Sequence, residues 1–185
     1  MSTTLLSPSF QLAPVLPKRY EVVDGVVVEK APMSVRSSLV ASKLVEIMAP
    51  FVTSRGLGTV VSEMLFRLET DPDLQRRPDV AFVSAAKWPP NREAPEAACW
   101  DMVPDVAIEV NSPTNQMDKV MDKLDEYLQA GVKKVWIVLP LKKRIFIFDS
   151  PTGVRALSRA ETLEDPVLLP GFQLPLAQLF PEATS

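Results

Sequence analysis

Two acidic residues lie beside or within apolar runs that are typical of buried strands. Asp79 belongs to residues 77–83 (RPDVAFV), and Glu109 belongs to residues 103–111 (VPDVAIEVN). Because side chains alternate along a strand, Glu109 shares a face with Asn111. An ionised carboxylate inside such a run is costly to bury alone. A divalent cation shared by Asp79 and Glu109 would offset that cost, since Mg²⁺ and Mn²⁺ prefer carboxylate oxygens and water.

The same pattern allows a plainer interpretation of these acids. Asp79 and Asp105 each follow a proline at the start of a strand, where a turn or edge acid is common. Glu109 could face solvent on an edge strand, or it could pair with Arg77 or Lys123. The pattern of residues alone leaves both interpretations open.

A helix predicted over residues 118–130 adds a lysine to the two acids. Its apolar stripe runs through Leu124 and Tyr127, and Lys123 lies about 40° from Tyr127, at the edge of that stripe. The Lys123 side chain can therefore extend back over the strand ends, although a surface lysine remains the alternative. Asp118 is either a capping or first-turn acid or a supporting site residue. Glu63, in the β-like run 59–68, is a further candidate acid.

Composition excludes several kinds of chemistry. The 185 residues include no histidine, which removes Ser-His-Asp and Cys-His catalysis, histidine-ligated zinc and HNH-type nuclease sites. The single cysteine, Cys99, excludes an intramolecular disulfide. A net charge of −3 and a pI near 5.1 argue against a strongly cationic nucleic-acid binder but leave room for a local basic groove. No apolar run approaches the roughly 18 residues of a membrane helix, and no signal peptide is apparent, so we expect a cytoplasmic protein without membrane contact.

Hydrophobic periodicity predicts the elements that must position these residues. A hairpin, two helices and several strands are expected, in this order: strands 20–23 and 26–29 about Asp24-Gly25, helix 34–53 with Ser34 as its cap, strands near 59–68, 79–83 and 104–111, helix 118–130, and strands 135–139, 144–149 and 154–157. This order predicts an α/β or α+β fold with a mixed sheet flanked by helices. We expect a flexible arm at residues 1–17, a single domain over 18–180 and a tail at 181–185.

Taken in order, the motifs resemble the Uma-two family of restriction endonucleases, within the PD-(D/E)xK nuclease superfamily. The resemblance covers about residues 18–180 and is carried by these segments: Tyr20-Glu21-x-x-Asp24-Gly25, Arg77-Pro78-Asp79-Val80, Pro104-Asp105-Val106-Ala107-Ile108-Glu109-Val110-x-Ser112-Pro113-Thr114, Lys123…Tyr127-x-x-Ala130-Gly131, Val135-Trp136-Ile137-Val138-Leu139-Pro140 and Leu169-Pro170-Gly171-Phe172. Each motif alone is weak, and the ordered set is more specific.

The resemblance implies a restriction-endonuclease-like fold with the site at the strand ends. By motif match, Asp79 and Glu109 would ligate Mg²⁺ or Mn²⁺. Asn111 stands where the superfamily usually has lysine, and Lys123 matches a helix lysine that resembles a migrated replacement. Asn111, Asp118 and Glu63 are supporting candidates.

The implied function is metal-dependent hydrolysis of DNA phosphodiester bonds, with duplex DNA as substrate and a homodimer as the assembly. The alternative is a catalytically inactive, nuclease-derived binding or assembly module. Asn111, the acidic pI and the absence of histidine motivate that alternative.

Overall fold

The computed structural model describes residues 17–68, 74–111 and 117–182. The arm predicted at 1–17 lies outside the described residues except for Pro17, and so does the tail beyond residue 182. The prediction of a single domain over 18–180 stays a prediction.

Thirteen strands and three helices follow one another within the described residues. Their bounds are β1 Tyr20–Val23, β2 Val26–Glu29, α1 Val35–Ser54, β3 Gly58–Ser62, β4 Leu65–Arg67, β5 Gln75–Arg76, β6 Val80–Ser84, β7 Cys99–Trp100, β8 Val106–Val110, α2 Met117–Gln129, β9 Lys134–Leu139, β10 Arg144–Phe148, β11 Val154–Ser158, β12 Thr162–Asp165, β13 Leu169–Pro175 and α3 Leu176–Leu179. None of the helices in these ranges is long and apolar enough to cross a membrane.

The central sheet has six strands in the order β11-β10-β9-β8-β6-β3. Strands β8 and β9 pair in parallel, and the other neighbours pair antiparallel. The parallel pair needs a crossover long enough to return the chain to the same end of the sheet, and α2 lies in that crossover. The predicted mixed sheet with flanking helices is therefore confirmed.

Strand alternation gives this sheet two buried faces. Phe82, Ile108 and Trp136 belong to the core that α1 covers through Leu44 and Met48. The opposite face belongs to a second core, which includes these sheet and α2 side chains: Ala81, Ala107, Val135, Ile137, Val120, Leu124 and Tyr127. Glu109, on the face of Ala107, is therefore on the α2 side of the sheet.

A second, five-stranded sheet has the order β2-β1-β5-β4-β7. Its hairpin is the predicted one, because Asp24 (φ 50°) and Gly25 (φ 73°) both adopt the left-handed conformations of a type I′ turn. The predicted continuous run 59–68 is instead two strands. Glu63, with φ 53°, interrupts it and turns the chain from the central sheet into the second one.

Candidate active site at the ends of β6 and β8

Asp79 and Glu109 come together because their strands are antiparallel neighbours. Asp79 immediately precedes β6 and Glu109 is the penultimate residue of β8. The register pairs Val80 with Ile108, so one step further along the ladder Asp79 lies opposite Glu109. Both residues are buried, with exposed fractions of 3% and 8%. The Asp79 Oδ2 atom accepts a hydrogen bond from the Val110 N–H at 2.7 Å, which joins the two strand ends.

Helix α2 contributes two donors to Glu109. The Tyr127 hydroxyl donates to Glu109 Oε1 at 2.9 Å, and the Lys123 Nζ atom lies 3.5 Å from the same oxygen. Tyr127 and Lys123 are four residues apart and so share one side of the helix. Burial raises the pKa of Glu109 above its usual value even though the Lys123 charge opposes that shift. Burial alone would lower the pKa of Lys123, but the Glu109 and Glu21 charges raise it, so this ammonium stays charged.

A buried ion-pair network supports Lys123 from the second sheet. The Lys123 Nζ atom donates to Glu21 Oε1 at 2.8 Å, and Arg76 Nη1 donates to Glu21 Oε2 at 2.9 Å. Arg76 also makes two hydrogen bonds to the carboxylate of Glu126 on α2, at 2.5 and 2.6 Å. Burial opposes ionisation of Glu21, but Lys123 and Arg76 hold its pKa below the usual range. The motif Tyr20-Glu21-x-x-Asp24-Gly25 contains Glu21, but its spacing alone predicts no site role for this residue.

Lys30 is a second lysine of the site that the sequence analysis missed. Its Nζ atom donates to Asp79 Oδ1 and to the Arg77 carbonyl, each at 2.7 Å. It also lies 3.4 Å from both carboxylate oxygens of Glu63, which pairs in addition with Arg19. Lys30 thus links Glu63, a predicted supporting residue, to Asp79. No local pattern singles out this lysine, which follows an exposed strand.

The remaining predicted residues occupy different environments. Asn111 is half-buried, and its Oδ1 atom is fully buried without a hydrogen-bond partner among the described residues. Asp118 is exposed in the first turn of α2, and no hydrogen bond or ion pair joins it to Lys123 in the described part of the chain. Asp105, which had the alternative of a turn or edge acid, is fully buried: it accepts from the Ser84 N–H at 2.8 Å and pairs with Lys133 at 2.9 Å.

Asp79 and Glu109 supply carboxylate oxygens, which are the donors that a magnesium-like ion prefers. Within residues 17–68, 74–111 and 117–182, no group of three or more His, Cys, Asp or Glu side chains could hold a metal. Mg²⁺ does not require such a group, because it commonly keeps several waters and binds one or two carboxylates together with substrate phosphate. The Asn111 Oδ1 atom, which has no partner among the described residues, is an oxygen donor of the same hard character two residues after Glu109.

A cavity of about 290 Å³ opens beside Asp79. Its walls include Ser38 and Ser42 of α1, Ser62 at the end of β3, and the two acids Glu63 and Asp79. Serine and acidic residues therefore line the same cavity, and Asp79 can be reached from it. A second cavity, of about 420 Å³, is lined by Trp88 and Trp100 and contains none of the predicted site residues.

The fold matches that of a solved structure. A crystal structure described as that of "a putative nuclease belonging to DUF820" from Anabaena variabilis matches with a TM-score of 0.76 and 18% sequence identity, over 87% of this chain and 89% of that one. At this identity the likeness shows the fold alone.

The sequence places the chain in a family. Residues 10–177 match the Uma2 family, described as "Putative restriction endonuclease", and the chain belongs to that family. The resemblance predicted from its motifs is thus confirmed, and membership supports nuclease function in general. No curated protein matches the chain.

Proposed function

We propose that this protein is a metal-dependent endonuclease that hydrolyses phosphodiester bonds in duplex DNA. The observation that carries the proposal is the placement of Asp79 and Glu109 as cross-strand neighbours with Lys123 beside Glu109. Family membership supplies the nuclease class, and the buried carboxylates supply a reason for a divalent cation.

Asp79 and Glu109 are the proposed ligands of Mg²⁺ or Mn²⁺, with Asn111 as a supporting oxygen donor. When bound there, the ion would polarise a phosphoryl oxygen and lower the pKa of a water. The two carboxylates lie at adjacent ends of the paired strands β6 and β8, and the Val110 N–H donates to one oxygen of Asp79. The protein therefore presents its acids in a set position before any substrate arrives.

Lys123 is the proposed stabiliser of negative charge on the phosphate. Its ammonium is held by Glu21 and lies near Glu109, and its side chain is 17% exposed, so it is accessible at the edge of the site. Since neighbouring acids raise its pKa, it remains a cation at neutral pH. A cation held in place beside the negative charge that develops on the phosphate, in a site with little water, is an effective form of electrostatic catalysis. Arg76 and Glu21 are positioning residues that hold Lys123.

The test is a Mn²⁺ titration by calorimetry followed by cleavage of a duplex plasmid. Asp79→Asn and Glu109→Gln are expected to lose Mn²⁺ binding, and Lys123→Met is expected to keep it while cleavage falls on the order of 10²-fold or more. Lys119→Met is the matched control, because Lys119 is exposed on the same helix. Full cleavage by all three site variants would refute the assignment.

Asn111 favours a second candidate, a nuclease-derived module that binds without cleaving. It stands where the superfamily usually has lysine, and the described residues contain no group of three metal-ligating side chains. Under this alternative no Mn²⁺ binds, with or without duplex DNA, while self-association persists.

We also propose a homodimer, because a two-fold assembly suits duplex DNA. Sedimentation equilibrium of the purified protein tests it, and a monomer at micromolar concentration would contradict it.

A further inference from the structure

Lys30 is an enclosed cation to which the proposed mechanism assigns no role. Its side chain is only 10% exposed, and it emerges directly after β2. Around its Nζ atom lie Asp79 Oδ1 and the Arg77 carbonyl at 2.7 Å, with the Glu63 carboxylate at 3.4 Å. Carboxylate and carbonyl oxygens are also the donors that hard divalent cations take. The Lys30 ammonium is therefore surrounded by oxygen atoms of the type that bind divalent cations.

This position overlaps with the one proposed for the divalent ion. Asp79 Oδ2 accepts from the Val110 N–H, and Asp79 Oδ1 accepts from Lys30, each at 2.7 Å. An ion on Asp79 would sit within a few ångströms of the ammonium, since Mg²⁺–oxygen distances are about 2.1 Å. Like charges this close repel strongly in a site with little water. Lys30 and the ion would compete for Asp79 Oδ1, to which Lys30 donates directly. Lys123 differs, because its hydrogen bond goes to Glu21 and it lies 3.5 Å from Glu109.

The net charge of the ionised side chains around Asp79 and Glu109 also favours release of Lys30 when a divalent ion binds. The ion-paired side chains of this cluster are four cations and five anions: Arg19, Lys30, Arg76 and Lys123 against Glu21, Glu63, Asp79, Glu109 and Glu126. The Arg77 guanidinium, which donates to the carbonyls of Tyr20 and Glu63, brings the cluster to a balance of charge. A dication added to a balanced cluster leaves an excess of positive charge. Movement of one ammonium toward solvent removes part of that excess.

Lys30 has the freedom to make that movement. Its backbone N–H donates to the Arg19 carbonyl at 3.0 Å, so the main chain is fixed at the end of the hairpin. The side chain above it is a flexible four-carbon stem. The Glu63 carboxylate, 3.4 Å from Nζ, is an alternative acceptor, and it lines the cavity beside Asp79. The ammonium can therefore leave Asp79 without unfolding the strand.

We propose that Lys30 is a resident cation that holds Asp79 when no divalent ion is bound, and that it must leave Asp79 for the ion to bind. The inference rests on the proposed function, because it requires a divalent ion at Asp79. It makes Lys30 a competitor of the metal in addition to a structural partner of the acid.

The first experiment measures Lys30 in the wild-type protein, so no variant has to fold. The protein is treated briefly with an amine-acetylating reagent, with and without saturating Mn²⁺, and each lysine is quantified by mass spectrometry. Acetylation of Lys30 is expected to increase several-fold with Mn²⁺. Lys43 is the internal control, because it is 40% exposed on α1 and pairs with Glu46 away from the site. Equal acetylation of Lys30 with and without bound Mn²⁺ would overturn the inference.

The second experiment compares Lys30→Met with Lys43→Met by Mn²⁺ calorimetry and thermal unfolding. Lys30→Met is expected to have a lower Tm without metal, a Kd for Mn²⁺ lowered on the order of tenfold, and a larger Mn²⁺-induced rise in Tm than wild type. A lower Tm with unchanged or weaker Mn²⁺ binding would show a structural ion pair only, and would refute the competition while leaving the proposed function intact. Absence of Mn²⁺ binding in wild type and Lys30→Met alike would refute the proposed function, and the competition with it.

Discussion

The hydrogen bond from Tyr127 to Glu109 can be tested by removing one oxygen atom. Tyr127 is fully buried, and its hydroxyl donates to Glu109 Oε1 at 2.9 Å. Burial and the Glu109 charge raise the pKa of Tyr127 well above its usual value, so the hydroxyl keeps its proton and remains a donor. Tyr127→Phe removes this donor and leaves the ring in its packing position.

The size of the effect follows from the partners of Glu109. A hydrogen bond to a charged group contributes about 1.5–3 kcal/mol, and Lys123, at 3.5 Å from the same oxygen, remains in Tyr127→Phe. We therefore expect the free energy of unfolding to fall by about 2 kcal/mol, which lowers Tm by about 4–8 °C in a chain of this size.

The assay is urea unfolding followed by circular dichroism, and the chain offers a matched control. The sequence has two tyrosines, and the other, Tyr20, is half-buried with no hydrogen bond from its hydroxyl to the described residues. Phenylalanine at position 20 keeps the ring that Arg77 covers, so Tyr20→Phe should change stability by less than about 0.5 kcal/mol. Equal stability of Tyr127→Phe and wild type, at unchanged m-value, would show that this bond does not stabilise the fold.

Two further predictions concern the frame around the site. Burial opposes ionisation of Asp105, but Lys133 and the Ser84 N–H lower its pKa below the usual value of 3.8. Because the ionised form is favoured in the folded state, this carboxylate stabilises the fold above pH 3.8, and the stabilisation is lost as the pH falls through the lowered pKa. Asp105→Asn should therefore lower the free energy of unfolding at pH 7 by about 1 kcal/mol, since Lys133 is largely exposed. Measured by urea unfolding, the stability of Asp105→Asn should fall less steeply than that of the wild type as the pH is lowered. Parallel pH profiles of the two proteins would contradict this. A Cβ at Gly58 would lie 2.1 Å from the Val83 carbonyl oxygen, whereas one at Gly56 would meet nothing within 4 Å. In thermal unfolding Gly58→Ala should lose about 3 kcal/mol and Gly56→Ala about 1 kcal/mol, and equal losses would be inconsistent with the clash.

Local interactions explain why many elements could be predicted from the sequence. The Asp24-Gly25 pair specifies its turn through its own backbone preferences, and Ser34 caps α1 by accepting from the Ser37 N–H at 3.2 Å. The break at Glu63 could not be predicted in this way. Its left-handed backbone accompanies hydrogen bonds to Asp79 and Arg77, which belong to a later part of the chain.

Some residues of the candidate site could be predicted from sequence periodicity, and others could not. Alternation places Glu109 of β8 and Asn111, just after it, on one face, and the helical stripe places Lys123 beside Tyr127. Sequence periodicity therefore indicates which side chains point the same way. Lys30 and Glu21 carry no such signal. Lys30 meets Asp79 across 49 residues, and Glu21 meets Lys123 across 102.

The sequence by itself determined the first hairpin, the two long helices, most strands of the central sheet, the shared face of Glu109 and Asn111, and the family to which the chain belongs. Only the tertiary structure decided which charges are buried together. Antiparallel pairing of β6 with β8 sets Asp79 against Glu109, and the second sheet brings Glu21, Lys30 and Arg76 to them. The physical reason is that the direction of a side chain follows from local backbone geometry, whereas the burial and charge state of an ionisable group depend on partners from distant strands.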